Sequence, residues 1–262
     1  MQIFDAGDVR IHYRVDGTED GAPVVFANSL GTDMRLWDPI LPLLPEGLRI
    51  IRWDKRGHGL STVPSGPYKM GSLITDCERL LDHLEVKGCV FVGLSIGGMI
   101  AQGLAVKRLD LIRALVLSNT AAKIGNPALW DERIAAVHAG GIESLADAVM
   151  ERWFSAEFRA KPELELWRNM LVQQANDGYA GCSAAISGTD FYTPTSGLRL
   201  PCLGIAGSED GSTPPDLVRE TTDLIPASKF HLIRRAGHLP CVEQPEEFAR
   251  VLGDFLKGVG HV

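Results

Sequence analysis

The sequence predicts an α/β fold with a mostly parallel central sheet, helices on both faces of that sheet, and a helical cap inserted into it. Two observations predict this fold. Short apolar runs alternate with segments of helical spacing up to Asn119, and the alternation returns after a stretch that indicates helices alone. We therefore divide the chain into a core of residues 1–120 and 191–262 and a cap of residues 121–190. Such a cap usually covers the carboxyl edge of the sheet, where ligands bind.

The elements of the first part of the core are indicated by their periodicity. Residues 9–15 alternate sides as a half-exposed strand does. Short apolar runs predict interior strands at residues 23–28, 48–54, 89–94 and 111–119. Apolar residues at helical spacing predict helices at residues 34–44, 70–86 and 96–108. The first of these helices contains Pro39 and Pro42, which shorten or break it.

The cap and the last part of the core follow the same reasoning. From Lys123 to Asp190 the pattern indicates helices without a buried strand, and this stretch carries three of the five tryptophans: Trp130, Trp153 and Trp167. After the cap, apolar runs predict strands at residues 202–208 and 229–236. Helical spacing predicts helices at residues 214–225 and 245–257, the last with a proline at its start.

Composition and charge exclude several classes of protein. The chain of 262 residues is 45% hydrophobic, which allows a sizeable core, and it carries a net charge of −7. An acidic chain is a poor partner for nucleic acid or for an anionic membrane surface. No apolar run approaches the roughly 20 residues of a membrane span. The N-terminal residues lack the basic start and apolar core of a signal peptide.

The five cysteines are odd in number and not closely paired, and no cysteine or histidine cluster suggests a metal site. We therefore expect reduced, mostly buried thiols in a cytoplasmic protein. We expect neither a metal nor an organic cofactor. The sequence leaves open whether the chain forms a homo-oligomer.

A single serine, Ser95, stands in a glycine-rich stretch between a predicted strand and a predicted helix. Gly93–Gly97 matches the pattern G-x-S-x-G, and this strand–turn–helix context is what a nucleophile elbow requires. The tight turn excludes large flanking side chains, and the helix N-terminus behind it offers unpaired N–H groups to an oxyanion. The alternative is a glycine-rich turn that serves close packing alone, whereas the phosphate-loop patterns are absent here.

A serine nucleophile needs a base, and the base needs an orienting carboxylate. After an elbow of this kind the acid precedes the histidine along the chain. His238 follows the last predicted strand, which is the expected place of the base. Asp210 follows the strand before it and is the predicted acid, with Glu209 as the alternative. The other site used for the acid, one strand earlier, holds Ser118 and Asn119 and no carboxylate.

The oxyanion hole is expected to take its second donor from the loop at residues 27–33. The predicted donors are the backbone N–H groups of Leu30 and Ile96. Asn28 and Ser29 either hold this loop in shape through side-chain hydrogen bonds or are simple turn residues. We interpret three polar side chains of the loop at residues 53–61 as structural rather than catalytic: Asp54, Arg56 and His58.

The chain resembles the α/β-hydrolase superfamily over nearly its whole length, through "NSLGTD", "DKRGHG", "GLSIGG", "GSEDGSTPP" and "AGHLPCVEQP". It resembles more closely the 3-oxoadipate enol-lactonases of aromatic catabolism, through "ANSLGTDMRLWDPILPLL", "WDERIAAVHAGGIESLADAVMERWF" and "NDGYAGCSAAISGTDF". The last two stretches lie in the cap, where superfamily members usually diverge. Ser183 and Ser187 depart from the pattern, because a cysteine and a basic residue are expected near them.

The resemblance implies the α/β-hydrolase fold and a lactone ring opened by water to give 3-oxoadipate, with Ser95, His238 and Asp210 as the catalytic triad. The reaction class follows independently from the predicted triad, in which the serine attacks an ester carbonyl and water hydrolyses the acyl-enzyme. The implied partner is a small anionic lactone.

The carboxylate of such a lactone conflicts with the charge of the chain, because the cap is itself net negative. We therefore expect a local cation or donor cluster to bind that carboxylate. Arg133 is the first candidate, since it lies three residues from Trp130 on one predicted helix face. Arg152 and Arg56 are the alternatives. Ser29, in the predicted oxyanion loop, and Trp130 are further candidates for contact with the substrate, the alternative for Trp130 being core packing of the cap.

Two other kinds of function compete with this interpretation. The same triad serves carboxylesterases, perhydrolases and hydrolases of carbon–carbon bonds, which differ in the cap and the pocket. A ligand-binding protein that keeps the hydrolase fold without catalysis is the second competitor. The complete set of Ser95, Asp210 and His238 argues against that second reading.

Overall fold

The computed structural model describes all 262 residues and contains one eight-stranded sheet. Its strands are β1 (Gln2–Asp5), β2 (Arg10–Gly17), β3 (Ala22–Ala27), β4 (Leu48–Trp53), β5 (Cys89–Leu94), β6 (Ile112–Ser118), β7 (Cys202–Gly207) and β8 (Lys229–Ile233). They lie in the order β1-β2-β4-β3-β5-β6-β7-β8. All pairings from β4 to β8 are parallel, and β2 is antiparallel to both of its neighbours. The predicted α/β class with a mostly parallel sheet is therefore confirmed.

Eleven α-helices accompany the sheet. They are α1 (Met70–His83), α2 (Ile96–Lys107), α3 (Pro127–Gly140), α4 (Ala146–Trp153), α5 (Ala156–Arg159), α6 (Leu164–Val172), α7 (Asn176–Ser187), α8 (Tyr192–Ser196), α9 (Pro215–Asp223), α10 (Pro240–Glu243) and α11 (Pro245–Gly258). Helices α3 to α7 follow one another within residues 121–190, where the sequence indicates only helices, and α8 lies after that stretch, before β7. None of the helices combines the length and apolar character that a membrane crossing requires.

The central strands are apolar because they are covered on both faces. Every residue of β5 and every residue of β7 is buried, as in the interior strands of a parallel sheet. Helix α2 is buried over most of its surface, from Ile96 to Ala105, since it packs against the sheet and against α1 and α8. All five cysteines are buried and unpaired, as the sequence predicts.

The predicted helix at residues 34–44 is broken at its prolines, as expected, but its pieces are not α-helical. Two short 3₁₀ helices stand there instead, Met34–Trp37 and Leu41–Leu43. Pro39 and Pro42 lack the N–H groups that a continuous α-helix would need at these positions. The Asp33 carboxylate caps the first turn by accepting the N–H of Arg35.

Strand β1 is not predicted by the sequence pattern. Its four residues form an antiparallel edge strand beside β2, and three of them are exposed. A short edge strand with little burial has no apolar run or clear alternation, so its periodicity is weak.

Candidate active site

Ser95 lies in the sharp turn between β5 and α2, at the carboxyl edge of the sheet. Its φ of 58° and ψ of −120° are unusual for a residue with a side chain, and such a strained turn is the geometry of a nucleophile elbow. A Cβ on Gly93 would lie 2.3 Å from the Gly97 carbonyl oxygen, and one on Gly97 would lie 2.1 Å from the Ala27 oxygen. The two flanking glycines are therefore required by close backbone approach.

Asp210 and His238 are brought together by the loops that follow β7 and β8. His238 Nδ1 lies 2.9 Å from Asp210 Oδ2, and both side chains are buried. The His238 backbone N–H donates to the carbonyl of Trp153 at the end of α4, over 2.7 Å. The predicted acid and base are thus in contact with each other, and the loop of the base is tied to the cap. The alternative acid, Glu209, makes no hydrogen bond to His238.

The carboxylate of Asp210 is held by several donors besides the histidine. Its Oδ1 accepts the backbone N–H groups of Ser212, at 2.7 Å, and Thr213, at 3.0 Å. Its Oδ2 accepts the Thr213 hydroxyl at 2.7 Å and the Asn119 amide at 2.8 Å. Burial acts to raise the pKa of Asp210, but the charge of His238 and these hydrogen bonds outweigh it and lower the pKa. The acid is therefore ionised at neutral pH.

Ser95 and His238 line the same pocket, yet they are not hydrogen-bonded to each other in this structure. The Nε2 atom of His238 lies 3.4 Å from the hydroxyl of Ser29 instead. In free enzymes the hydrogen bond between nucleophile and base is often long and tightens when substrate binds. Ser29, predicted as a substrate contact, thus faces the histidine from the oxyanion loop.

The two predicted oxyanion donors come from two separate segments, the loop after β3 and the start of α2. Ile96 is the first residue of α2, where the backbone N–H has no partner in the preceding turn. Leu30 lines the pocket, and its N–H donates to no group of the protein. The side-chain amide of Asn28 connects the loop at residues 27–33 to two elements. It donates to the carbonyl of Trp53, at the end of β4, over 2.9 Å, and it accepts the indole N–H of Trp37, in the first 3₁₀ helix, over 2.8 Å. Asn28 is therefore more than a turn residue.

The polar side chains of the loop at residues 53–61 make structural contacts, as the sequence analysis interprets them. Asp54 lies 2.8 Å from Nδ1 of His12 and accepts the Met34 N–H at 2.8 Å. His58 Nε2 accepts the Gly31 N–H at 3.0 Å, which supports the oxyanion loop from behind.

Arg56 is excluded as the ligand of a substrate carboxylate. Its guanidinium is buried and paired with Asp76, at 2.6 Å, and with Asp8, at 3.1 Å, and it does not line the pocket over Ser95.

A pocket of about 490 Å³ separates Ser95 from the cap. Trp130 and Arg133 of α3 both line it, with the guanidinium carbon 5.0 Å from the centre of the indole ring. Arg152 of α4 also faces the pocket. Burial and the nearby charge of Arg133 lower the pKa of Arg152. Both arginines are half-buried, and neither forms an ion pair with a carboxylate of the protein.

Comparison with known proteins agrees with this geometry. A family model described as "Alpha/beta hydrolase family" matches residues 24–251. The chain belongs to the α/β-hydrolase family.

Relatives of this α/β hydrolase include lactonases and esterases. It is 33% identical to 3-oxoadipate enol-lactonase 2 of Acinetobacter baylyi, over 96% of this chain and 95% of the relative. Among solved structures, the enol-lactonase from Burkholderia xenovorans LB400 superposes with a TM-score of 0.94 at 34% identity, covering 98% of this chain and all of that one. A thermophilic esterase from Thermogutta terrifontis, solved with malate bound, gives a TM-score of 0.92 at 28% identity, with full coverage of both chains.

Two polar groups of the α/β-hydrolase site escaped the sequence analysis. Asn119, at the end of β6 with a φ of 46°, donates to the acid that follows β7. Thr213 contacts both Asp210 and His238, with its hydroxyl 3.3 Å from His238 Nδ1. The available signal for Asn119 was its place at the carboxyl end of a strand, where the acid of other members stands.

Proposed function

We propose that this chain is a serine hydrolase that opens the lactone ring of 3-oxoadipate enol-lactone to give 3-oxoadipate, in the catabolism of aromatic compounds. One observation carries the proposal. Two arginines without carboxylate partners face the same pocket as the elbow serine and the buried histidine–aspartate pair. The similarity to enol-lactonases over 96% of the chain supports the same substrate.

The reaction begins with proton transfer from the Ser95 hydroxyl to His238 Nε2 as the serine oxygen attacks the lactone carbonyl. Asp210 stabilises the imidazolium that forms, and its lowered pKa keeps it ionised while it does so. The oxyanion of the tetrahedral intermediate is stabilised by the N–H groups of Leu30 and Ile96. This step requires a hydrogen bond between Ser95 and His238, which forms when the substrate binds.

Collapse of the intermediate breaks the bond between the carbonyl carbon and the ring oxygen. His238 returns its proton to that oxygen, which leaves as an enol tethered to the acyl-enzyme. A water molecule then gives a proton to His238 and attacks the acyl carbon, and Ser95 departs with that proton. The enol tautomerises to the ketone of 3-oxoadipate. The sequence of steps requires neither a metal ion nor an organic cofactor.

Arg133 and Arg152 are the proposed ligands of the substrate carboxylate. The chain carries a net charge of −7, so the protein as a whole repels an anion. The pocket itself has the opposite balance, because its lining includes two arginines and a single acidic residue, Glu132. A carboxylate that pairs with a guanidinium forms charge-assisted hydrogen bonds, which are the stronger kind. The pocket volume also falls within the range of small-ligand sites.

The direct test compares turnover of the enol-lactone with that of p-nitrophenyl acetate, in the wild type and in Ser95→Ala. We expect the lactone to be hydrolysed with the higher kcat/KM, and Ser95→Ala to abolish both activities. A clear preference for the neutral ester would replace the lactonase proposal by a carboxylesterase, which the likeness to the Thermogutta esterase favours as the second candidate. If neither substrate is hydrolysed, the lactonase and esterase proposals are both wrong, and the chain is a perhydrolase, a carbon–carbon bond hydrolase or a ligand-binding protein. Unchanged activity in Ser95→Ala would contradict the assignment of the nucleophile.

A further inference from the structure

Lys55 is a buried lysine behind the oxyanion loop, on the side away from the pocket. Its side chain is 2% exposed and forms no ion pair. Its Nζ atom donates to the carbonyl oxygens of Ser29, at 2.7 Å, and Thr32, at 3.2 Å. Burying an ammonium group is costly unless its hydrogen bonds compensate. The fold therefore places a positive charge against two backbone carbonyls of this loop.

The carbonyl of Ser29 and the N–H of Leu30 belong to the same peptide group. A peptide bond is planar and trans, so its C=O and N–H point in opposite directions. When Lys55 holds the Ser29 oxygen toward the interior, the Leu30 N–H must point the other way, and that N–H has no partner within the protein. Ser29 and Leu30 both line the pocket over Ser95. The lysine is thus one of the groups that hold this predicted oxyanion donor in its direction, and its hydrogen bond to the Ser29 carbonyl is the shortest of them.

The second predicted donor, the Ile96 N–H, is also held through the carbonyl of its own peptide group, but no charged side chain contacts that carbonyl. The Ile96 N–H shares its peptide group with the carbonyl of Ser95, which accepts the Thr120 hydroxyl at 2.6 Å and the Gly98 N–H at 2.9 Å. The Ser29 carbonyl likewise accepts a hydroxyl and a backbone N–H, both from Thr32. The Ser29–Leu30 peptide group differs from the Ser95–Ile96 peptide group because it also accepts a hydrogen bond from the Lys55 ammonium group.

We propose that Lys55 is a positioning residue of the oxyanion hole, whose buried ammonium group orients the Leu30 N–H toward the substrate and strengthens it as a donor. A cation on the carbonyl side polarises the peptide group, and hydrogen bonds in such a chain reinforce one another. The stabilisation by the Leu30 N–H is largest when negative charge develops on the substrate oxygen. A fixed donor stabilises that charge strongly because the site is shielded from water. The inference rests on the proposed hydrolytic chemistry.

The geometry makes this device sensitive to alkaline pH. Burial lowers the pKa of Lys55 to about 8, against the opposing effects of Cys182, Asp54 and Asp33. Burial also raises the pKa of the Cys182 thiol to about 12 and lowers that of His58 well below its usual value. Those two neighbours are therefore neutral near pH 8. Lys55 is the group of this cluster that changes charge there.

The test uses Lys55→Met and Lys55→Gln in the full chain, with p-nitrophenyl acetate and the enol-lactone as substrates. We expect Lys55→Met to lower kcat by about 10²-fold, of the order found when one oxyanion donor is lost, with KM changed less than about threefold. Lys55→Gln retains one neutral donor and should lose less. The exposed Lys87→Met is the matched control and should behave as the wild type. Thr120→Val removes a neutral donor from the Ser95 carbonyl. It should lower kcat less than Lys55→Met does, and by a factor that does not change with pH.

The pH dependence provides a readout that general structural damage would not change. In the wild type kcat should fall as pH rises through about 8, and this decline should be absent in Lys55→Met. The amide signal of Leu30 in the free protein should titrate near pH 8 by nuclear magnetic resonance, whether or not the substrate is correct. A Leu30 signal that does not titrate, or Lys55 variants with wild-type kcat, would overturn the inference. An inactive wild type whose Leu30 amide titrates would instead overturn the proposed function.

Discussion

The two sides of the pocket differ in how their polar groups are satisfied. On the core side, the Asp210 carboxylate accepts hydrogen bonds from Asn119, Ser212 and Thr213 and contacts His238. On the cap side, two arginines face the pocket with no carboxylate partner. Groups whose hydrogen bonds are completed by the protein are fixed in place, whereas an unpaired cation is available to a ligand. In the proposed function, the reaction therefore belongs to the core and the choice of substrate to the cap.

The largest expected effect is at Ser95. Replacement by alanine should lower kcat on the order of 10⁶-fold for any ester or lactone substrate, because the proposed acyl-enzyme forms on the Ser95 oxygen. Steady-state assays measure this loss, and the thermal midpoint shows whether the fold is intact. A residual rate within tenfold of the wild type would place the nucleophile elsewhere.

Asp210→Asn should have the next largest effect, a loss of about 10⁴-fold in kcat. The amide cannot stabilise the imidazolium and favours the wrong tautomer of His238. Stopped-flow or steady-state kinetics with both substrates should show the same fractional loss for each, since the acid acts on the reaction and not on the choice of substrate. A loss of activity confined to the anionic lactone would contradict the assignment of substrate choice to the cap alone.

Asn119→Ala should have a smaller effect, roughly tenfold in kcat, because it removes one of several hydrogen bonds to the buried acid. Ser118→Ala at the neighbouring position is the matched control, since the Ser118 hydroxyl contacts Asn119 rather than Asp210. Kinetic assays at pH 7 should show an unchanged KM for Asn119→Ala. Equal losses in both variants would mean that the end of β6 acts only through packing.

The smallest effect is on stability in acid. The pKa of Asp210 is lowered in the folded protein, so its contribution to stability is fully present above the unfolded pKa of about 3.9 and is lost as pH falls through the folded value. The difference in free energy of unfolding between wild type and Asp210→Asn should therefore shrink from pH 6 to pH 3 in urea titrations. A constant difference would show that the lowered pKa does not stabilise the fold.

The elbow and the order of the site residues could be predicted from the sequence because they depend on local spacing. Gly93, Ser95 and Gly97 specify a turn within five residues, and Asp210 and His238 each follow a recognisable strand. The sheet class could be predicted because the central strands are buried on both faces and are therefore short apolar runs in the sequence.

The contacts of Asn119 and Lys55 could not be predicted, because they depend on which elements become neighbours. Asn119 reaches Asp210 only because β6 and β7 pair in the sheet, with the whole cap between them in the chain. Lys55 meets the Ser29 carbonyl because the loops after β3 and β4 lie side by side. Its charge gave no sign that it would be buried, since lysine is usually exposed.

The proposed role of the cap in substrate choice is tested most directly by the double variant Arg133→Met/Arg152→Met, assayed with the enol-lactone and with neutral p-nitrophenyl acetate. We expect kcat/KM for the lactone to fall by about 10²-fold or more, from the loss of charge-assisted hydrogen bonds, while kcat/KM for the neutral ester stays within about threefold of the wild type. Arg159→Met, an exposed cap arginine, should leave both unchanged. Equal losses for the two substrates, or no loss for the lactone, would contradict the assignment of substrate choice to the cap.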